Sequence, residues 1–219
     1  MNKPALKEAR LSQEQVKKVY DGLAWIYDIW GALTEGRARR RGIELARIQD
    51  GEKVLDVAAG TGLILADMVK QNQTGLNVGI DISAGMLQKA RARLKTCSSR
   101  IELKLASALE VPYPDETFDL VINGYMFDLM PVEAMPKILR EFRRVLKPAG
   151  RLVLINMTEG ERPGSQVYQW VYQQAPALMG GCRGVKIAGL LPQAGFQVNT
   201  REYHQQFLFP SEVILANRF

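Results

Sequence analysis

Apolar and polar positions follow two periodicities along most of this chain. Short apolar runs rich in β-branched residues predict buried strands, and apolar residues recurring every three or four positions predict helices. From about residue 50 onward the two kinds of segment alternate, which predicts an α/β fold with a mainly parallel sheet. The predicted strands are residues 54–57, 75–80, 101–106, 118–123, 151–156, 196–203 and 206–216, and the predicted helices are residues 12–30, 37–47, 63–69, 83–96, 132–146, 164–178 and 183–194.

The composition is that of an ordinary globular protein, with 47% hydrophobic and 24% charged residues. A length of 219 residues predicts a single domain. No apolar run approaches the roughly 20 residues that span a bilayer, and residues 1–8 lack the apolar core of a signal peptide. Cys97 and Cys182 fit neither a disulfide framework nor a metal site, so we expect no metal and a cytoplasmic location.

The net charge of +6 changes this picture only in what it implies about partners. A basic chain can bind nucleic acid or an anionic membrane surface, and a run of charges can also be a solvated helix face. No RNA-binding module accompanies the pattern, so we expect no nucleic-acid partner. The densest basic cluster consists of Arg37, Arg39, Arg40 and Arg41.

The first predicted strand breaks into a glycine-containing turn, residues 58–62, and a predicted helix starts directly after it. Such a turn lets the backbone approach a nucleotide-like ligand closely. Asp81 follows Gly60 by 21 residues and ends the second strand, where a carboxylate suits ribose hydroxyls. The turn lacks the third glycine of a dinucleotide fingerprint, and the chain has no Gly-Lys-Ser/Thr of a phosphate loop. We therefore expect neither NAD nor a P-loop nucleotide.

Three further segments follow the glycine turn, at residues 79–87, 111–121 and 144–152. Together the four segments, over about residues 50–157, resemble the class I S-adenosylmethionine-dependent methyltransferases. The Ala58 variant of the turn, the Tyr-Asp pairs of residues 20–28 and the Leu-Lys-Pro-x-Gly-Arg turn at residues 146–151 are most similar to the ubiquinone/menaquinone-biosynthesis C-methyltransferase family.

That resemblance implies a Rossmann-like, doubly wound sheet of seven strands, mostly parallel with an antiparallel last strand. It also implies that residues 1–48 form a helical lid over a core of residues 49–219 within the one domain. The first lid helix opens with a capping box at Ser12 and Gln15. Its Tyr20 and Tyr27 either contact a ligand or only pack on the sheet.

The resemblance further implies S-adenosylmethionine as cofactor and S-adenosylhomocysteine as product. Gly60 and Gly62 would approach the methionine end, and Asp56 would brace the turn. Asp81 would accept hydrogen bonds from the ribose hydroxyls, or would instead cap the following helix. Where relatives commonly present an acid or amide to the adenine amino group, this chain has Ser107. The expected cofactor-binding residues are Asp56, Ala58, Gly60, Thr61, Gly62, Asp81, Ile82, Met86, Ser107, Ala108, Asn123 and Tyr20.

The segment after the fourth strand, residues 123–131, is expected to face the transferred methyl group. It lacks the [DNS]-Pro-Pro-[YF] motif of N6-adenine and glutamine methyltransferases and the Pro-Cys nucleophile of RNA cytosine enzymes. Its apolar and aromatic composition suits a lipophilic acceptor. Asp128 is the expected catalytic residue, as a base or an orienting group, unless it only caps the next helix. The expected substrate-binding residues are Tyr27, Tyr125 and Arg183.

These observations predict an enzyme that transfers a methyl group from S-adenosylmethionine to a small, lipophilic acceptor such as a quinol ring. A phospholipid headgroup N-methyltransferase and a non-catalytic S-adenosylmethionine-binding protein are the alternatives. The protein would be cytoplasmic and would touch the membrane surface transiently through the arginine cluster. The atom that is methylated and the oligomeric state stay open. His204 lies between the two terminal strands, and we expect it at an edge of the fold rather than at the chemistry.

Overall fold

The computed structural model describes residues 36–97, 99–158, 184–206 and 209–219. The helices predicted for residues 12–30 and 164–178, and with them the first part of the expected lid, lie outside these ranges. The strands are β1 (Lys53–Val57), β2 (Leu76–Asp81), β3 (Arg100–Leu105), β4 (Phe118–Gly124), β5 (Leu146–Met157), β6 (Phe196–Gln206) and β7 (Phe209–Arg218). The α-helices of the described residues are α1 (Gly36–Ala46), α2 (Leu63–Gln71), α3 (Ala84–Leu94) and α4 (Met135–Val145).

The seven strands form one sheet in the order β3-β2-β1-β4-β5-β7-β6. β1 to β5 pair in parallel, and β7 pairs antiparallel with both β5 and β6. The predicted fold class, with its antiparallel last strand, is confirmed. The strand order reverses between β1 and β4, and in open α/β sheets ligands bind at the carboxyl ends of the strands beside such a reversal. We call this side the carboxyl edge and the opposite side the amino edge.

The sheet is buried on both faces, and for this reason the sequences of its central strands are nearly continuous apolar runs. Side chains alternate between two layers, so that Leu55 and Val57 of β1 lie in one and Val54 lies in the other. The first layer contains Phe142 of α4, and the second contains Met68 of α2 together with the apolar face of α1. This double burial fixes the strands and thereby the positions of the residues that follow them at the carboxyl edge.

Helix α1 packs directly on the sheet, although its residues fall within the expected lid. It contacts β5 and β7, and it buries Ala38, Ile43 and Leu45 there. Gly42 makes the close approach possible, because a Cβ at this position would lie 2.6 Å from Cδ1 of Ile155. Among the described residues no helix is long and apolar enough to cross a membrane.

Two predicted helices differ from the structure because of proline. Residues 183–194 were expected to be helical, but their described part forms two short 3-10 turns, Ile187–Leu190 and Pro192–Ala194. Pro192 has no amide to continue a helix, and Gly195 at φ 83° ends the second turn. Similarly, α4 begins at Met135 after a 3-10 turn over Val132–Ala134, rather than at Val132.

Candidate active site

The turn between β1 and α2 holds three residues in the left-handed region, Ala58 (φ 58°), Gly60 (φ 54°) and Gly62 (φ 81°). Gly62 is needed for packing, because a Cβ there would lie 3.0 Å from Cβ of Ala90 in α3. Gly60 is different: the nearest atom to a Cβ built on it is 4.0 Å away. The backbone at Gly60 therefore faces open space, as a close approach by a ligand requires.

Asp81 bridges this turn to the start of α3. Its Oδ2 accepts a hydrogen bond from the Gly60 amide at 2.9 Å, and its Oδ1 accepts one from the Ser83 amide at 2.8 Å. The cap of α3 is Ser83, whose Oγ accepts a hydrogen bond from the Met86 amide at 3.2 Å. Because a carboxylate oxygen can accept more than one hydrogen bond, Asp81 can brace the turn and receive hydroxyl groups at once.

Asp56 lies behind the turn, as the penultimate residue of β1, and is fully buried. Burial, and then the charge of nearby Asp81, raise the pKa of Asp56 well above its usual range, and the backbone of Leu65 offsets only part of this rise. Among the described residues neither of its carboxylate oxygens has a hydrogen-bond partner of regular geometry. Burial and the nearby charge of Asp81 both favour the neutral form of Asp56, which supports the turn from behind.

An apolar surface adjoins Asp81 at the ends of β2 and β3. Ile82 is 46% exposed, Leu105 is 62% exposed and Leu109 is 40% exposed. Exposed side chains of this size are suited to cover the face of a planar base. Leu105 is the register partner of Asp81, and neither Leu105 nor Leu109 was predicted as a site residue. Strand alternation alone does not reveal that the last residue of an edge strand is uncovered.

The other adenine-side predictions occupy less open positions. Met86 is 5% exposed, so it offers little surface to a ligand. Ala108 is also buried, and the Oγ of Ser107 accepts a hydrogen bond from the Leu109 amide at 3.1 Å. Thr61 is buried within the glycine turn. The hydroxyl of Ser107 still has a hydrogen to donate, which is the contact expected of it toward an acceptor atom of a base.

The residues after β4 form the second half of the site. Asn123 is fully buried, and its Nδ2 donates to the carbonyl of Val57 at 2.8 Å, which ties β4 to β1. Tyr125 has φ 52°, an uncommon conformation for a non-glycine residue. Its hydroxyl lies 3.0 Å from Oγ of Ser211 on β7. Strained residues of this kind cluster at functional sites, so the position supports the expected role of Tyr125.

Asp128 lies fully buried in the 3-10 turn Phe127–Leu129. The N-cap residues of the 3-10 turn at Val132 and of α4 are Pro131 and Ala134, so Asp128 is at neither N-cap position. Its neighbour Phe127, expected to face the acceptor, packs instead in the core against Phe142 at a centroid distance of 6.0 Å.

An apolar cluster and a polar row at the carboxyl edge were missed in the sequence. Tyr125, Leu129 and Phe209 pack around Met157 at the end of β5. The polar row consists of three buried residues, Asn156, Thr158 and Glu212. Nε of Arg201 donates to Oε2 of Glu212 in an ion pair of 2.7 Å. These residues belong to no motif, and their polar character is the one signal that interrupts the apolar strand pattern.

Several expected positions fall elsewhere. Tyr20, Tyr27 and Arg183 lie outside the described residues. His204 sits on the edge strand β6, with Nε2 3.1 Å from Oε2 of Glu202, as expected. Within the described ranges no group of three or more His, Cys, Asp or Glu residues could hold a metal ion.

Only part of the arginine cluster is available for a partner. Arg41 makes hydrogen bonds of 2.7 and 2.8 Å to the carboxylate of Glu202, and Arg39 lies 3.4 Å from Oδ2 of Asp67. Arg37 and Arg40 are exposed and form no ion pair within the part of the chain that the structure describes. The cluster is thus divided between two structural arginines and two surface arginines.

Comparison with known proteins agrees with this geometry. A family profile described as a methyltransferase domain matches residues 54–150. A demethylmenaquinone methyltransferase of Symbiobacterium thermophilum is 33% identical over 161 residues, which cover 70% of this chain and 62% of that protein. A second one, of Listeria welshimeri, is 32% identical over 177 residues, which cover 77% of this chain and 73% of that protein. The chain thus spans slightly less than two thirds of the first relative.

Solved structures share the fold at lower identity. The [4+2]-cyclase SpnF superimposes with a TM-score of 0.74 at 19% identity, covering 97% of this chain and 99% of that one. The chain belongs to the class I S-adenosylmethionine-dependent methyltransferases. Within that class it is similar to demethylmenaquinone methyltransferases, and its cofactor is S-adenosylmethionine.

The site fits this cofactor. The open backbone at Gly60 leaves room beside the glycine turn, and Asp81 provides a carboxylate at the end of β2. The exposed Ile82 and Leu105 supply apolar surface next to that carboxylate. A nucleoside needs these features together: a close backbone approach, an acceptor for ribose hydroxyls and a cover for the base.

Proposed function

We propose that the protein transfers the methyl group of S-adenosylmethionine to a small lipophilic acceptor, with a quinol ring as the best candidate. The observation that carries this proposal is the partly buried cluster of Tyr125, Leu129 and Phe209 around Met157, located beside the end of β4. An apolar cluster at the carboxyl edge suits an aromatic ring. The names of the two relatives support a quinone-related acceptor.

The bound donor supplies an electrophilic methyl group on a sulfonium sulfur. Methyl transfer is an in-line displacement, so the chain has mainly to orient the two reactants and exclude water. In this proposal Gly60 and Asp81 fix the donor, while Asn123 and Tyr125 fix the boundary between donor and acceptor. Tyr20, Tyr27 and Arg183 complete the site from the lid and from the segment before residue 184.

Methylation of a ring carbon in a quinol forms a carbon–carbon bond, breaks the sulfonium carbon–sulfur bond and releases the proton of that ring carbon. Asp128 is our candidate for the group that takes up the hydroxyl proton as the ring carbon attacks and returns it once the ring carbon has lost its own proton to water, because it is buried directly after β4. A carboxylate held beside the acceptor can take up a proton as a general base. If Asp128 acts in this way, its replacement by Asn lowers kcat more than it raises KM.

A phospholipid headgroup is the second candidate acceptor. The exposed Arg37 and Arg40 favour it, because they could contact anionic headgroups while the apolar cluster receives the lipid. A cofactor-binding protein without catalysis would have less use for a carboxylate buried beside the acceptor region. In either enzymatic case we propose one domain that contacts the membrane surface transiently. Of residues 1–48, expected as the lid, α1 packs on the core of residues 49–219, so the lid consists of the residues before α1.

The test is a methylation screen of the purified protein over quinols, phospholipids and small phenols, read by mass spectrometry. We expect S-adenosylhomocysteine release and the gain of one methyl group with quinols. Methylation of phospholipids alone would replace the acceptor. Binding of S-adenosylmethionine without methylation in any class would favour the non-catalytic alternative, and a variant with Asp128 changed to Asn controls for non-enzymatic transfer.

A further inference from the structure

Two neighbouring polar side chains at the end of β5 have unused hydrogen-bonding capacity. Asn156 is fully buried, and among the described residues neither its Oδ1 nor its Nδ2 has a hydrogen-bond partner. Thr158, two residues further along, is 1% exposed, and its Oγ1 also has no partner within the described ranges. Burying an amide or hydroxyl without a hydrogen bond costs about 1–3 kcal/mol per group. Such groups in a folded protein require an explanation.

The position of Asn156 and Thr158 in the fold shows where these two buried side chains lie relative to the proposed site. Asn156 follows Leu152 and Leu154 on the same face, inside the layer that packs on α4. The register pairs Gly124, the last residue of β4, with Ile155, so Asn156 lies just beyond the end of β4. Asn156 is therefore at the carboxyl edge. Its strand, β5, is the neighbour of β4, which leads to Asn123 and Tyr125 at the proposed boundary between donor and acceptor.

A buried asparagine elsewhere in this protein shows what a structural role looks like. Asn72 is equally buried, yet its Oδ1 accepts from the Gly51 amide and its Nδ2 donates to the carbonyl of Glu52, both at 2.9 Å. Asn72 closes the connection between α2 and β2 at the amino edge. The side-chain amide of Asn156 makes no such hydrogen bond to the described part of the chain, so it adds no bond to that part of the fold.

An amide and a hydroxyl can each donate and accept, and the ligand group that matches both is a hydroxyl. The residue opposite Asn156 on β7 is Glu212, whose carboxylate is paired with Arg201. This charge balance favours an uncharged hydroxyl over a phosphate or another anion. Resting on the proposed function, we infer that Asn156 and Thr158 bind a ring hydroxyl of the methyl acceptor and thereby select for quinols and phenols.

The test uses the full-length protein with S-adenosylmethionine and 1,4-naphthalenediol as the acceptor. Replacing Asn156 by Leu should lower kcat/KM about 10-fold or more, mainly through KM, and Thr158→Val should lower it roughly 3- to 10-fold. The dissociation constant of S-adenosylhomocysteine should stay unchanged in both. Because an unsatisfied amide is removed, Asn156→Leu should raise Tm by about 2–4 °C.

Asn72→Leu is the matched control, with the opposite signature: a lower Tm and an unchanged kcat/KM per folded molecule. A wild type that methylates no quinol or phenol would overturn the proposed function and this inference together. If the wild type is active and both site variants keep its kcat/KM, the inference alone is wrong. It is also wrong if Asn156→Leu lowers Tm as Asn72→Leu does while activity per folded molecule is retained.

Discussion

The two edges of the sheet treat buried polar groups differently. At the amino edge, Asn72 and Asn77 are fully buried and bonded to each other, with Nδ2 of Asn72 3.2 Å from Oδ1 of Asn77. Nδ2 of Asn77 also donates to the carbonyl of Asn72 at 2.8 Å. At the carboxyl edge, Asn156 and Thr158 are just as buried, but their side-chain polar atoms have no hydrogen-bond partner among the residues that the structure describes.

The difference is one of function rather than of burial. Amino-edge groups hold turns together, so the protein itself satisfies them when it folds. Carboxyl-edge groups follow the strands at the site where a ligand is received, and a ligand can satisfy them when it binds. The carboxyl edge is accordingly less stable than its burial alone suggests. Replacing the unbonded Asn156 and replacing the bonded Asn72 should therefore have opposite effects on stability.

The largest expected effect is on stability at the amino edge. Asn72→Leu removes the side-chain partner of the Gly51 amide and of Oδ1 of Asn77, and one of the two hydrogen bonds to the Glu52 carbonyl, so we expect the free energy of unfolding to fall by about 3 kcal/mol. Urea denaturation measures this change. Asn156→Leu should shift the urea midpoint the other way, and equal losses in the two variants would remove the contrast between the edges.

The next effect is on donor binding. Asp81→Ala should weaken S-adenosylhomocysteine binding by about 1.5–3 kcal/mol, the range for a hydrogen bond to a charged group. Titration calorimetry measures it, and NAD should give no heat with either protein. Asp81→Ala also frees the amides of Gly60 and Ser83, so a moderate loss of stability will accompany the loss of affinity.

Asp81→Asn separates the two contributions. It keeps one of the two acceptors of the bridge and loses the other together with the charge, so its stability should lie between those of the wild type and Asp81→Ala while its affinity stays low. If Asp81→Ala unfolds the protein and Asp81→Asn binds the donor normally, bridging is the main role of the residue and the ribose assignment is wrong.

A smaller effect concerns the surface next to the carboxyl edge. The amide of Arg37 donates to Oε1 of Gln206, the last residue of β6, so α1 begins at this edge. The exposed Arg37 and Arg40 should contribute about 1 kcal/mol each to binding of anionic vesicles. In liposome co-sedimentation at low salt, a variant with both changed to Gln should remain in the supernatant while the wild type pellets.

Arg39 and Arg41 supply the control. They already pair with Asp67 and Glu202, so their replacement by Gln should lower stability but leave vesicle binding largely intact. Equal pelleting of all three proteins would mean that the basic surface has no role at membranes.

The part of the site that binds the donor, the glycine turn and Asp81, could be predicted from the sequence because residues close in the chain determine its conformation. A glycine turn requires φ values that few other residues adopt, and a carboxylate 21 residues later marks the end of the next strand. The Gly60–Asp81 contact was therefore encoded by spacing. The strand order and the antiparallel β7 followed from family resemblance rather than from pattern.

The part of the site proposed to bind the acceptor could not be predicted from the sequence, since it depends on contacts between segments that are far apart in the chain. Whether Asn156 finds a partner depends on β7, which lies more than 50 residues later, and apolar periodicity does not distinguish a core Phe127 from one that lines a pocket. The same limit applies to the arginine cluster. Its sequence gives four equivalent charges, and only the folded chain pairs Arg41 with Glu202.

The smallest change in stability is expected in the glycine turn, at two positions that lie two residues apart and share one backbone conformation. Ala58 and Gly60 have φ 58° and 54°, but only Ala58 carries a Cβ. Ala58→Gly removes left-handed backbone strain of roughly 1–2 kcal/mol. Because glycine also raises the conformational entropy of the unfolded chain, we expect a net increase in the free energy of unfolding of about 0.5 kcal/mol. Its affinity for S-adenosylhomocysteine should be unchanged.

Gly60→Ala adds a methyl group into the open space that we assign to the donor. It should lose about 1 kcal/mol of stability and most of its donor affinity. Calorimetry and urea denaturation on both variants measure the four quantities, and retained affinity in Gly60→Ala would place the donor elsewhere.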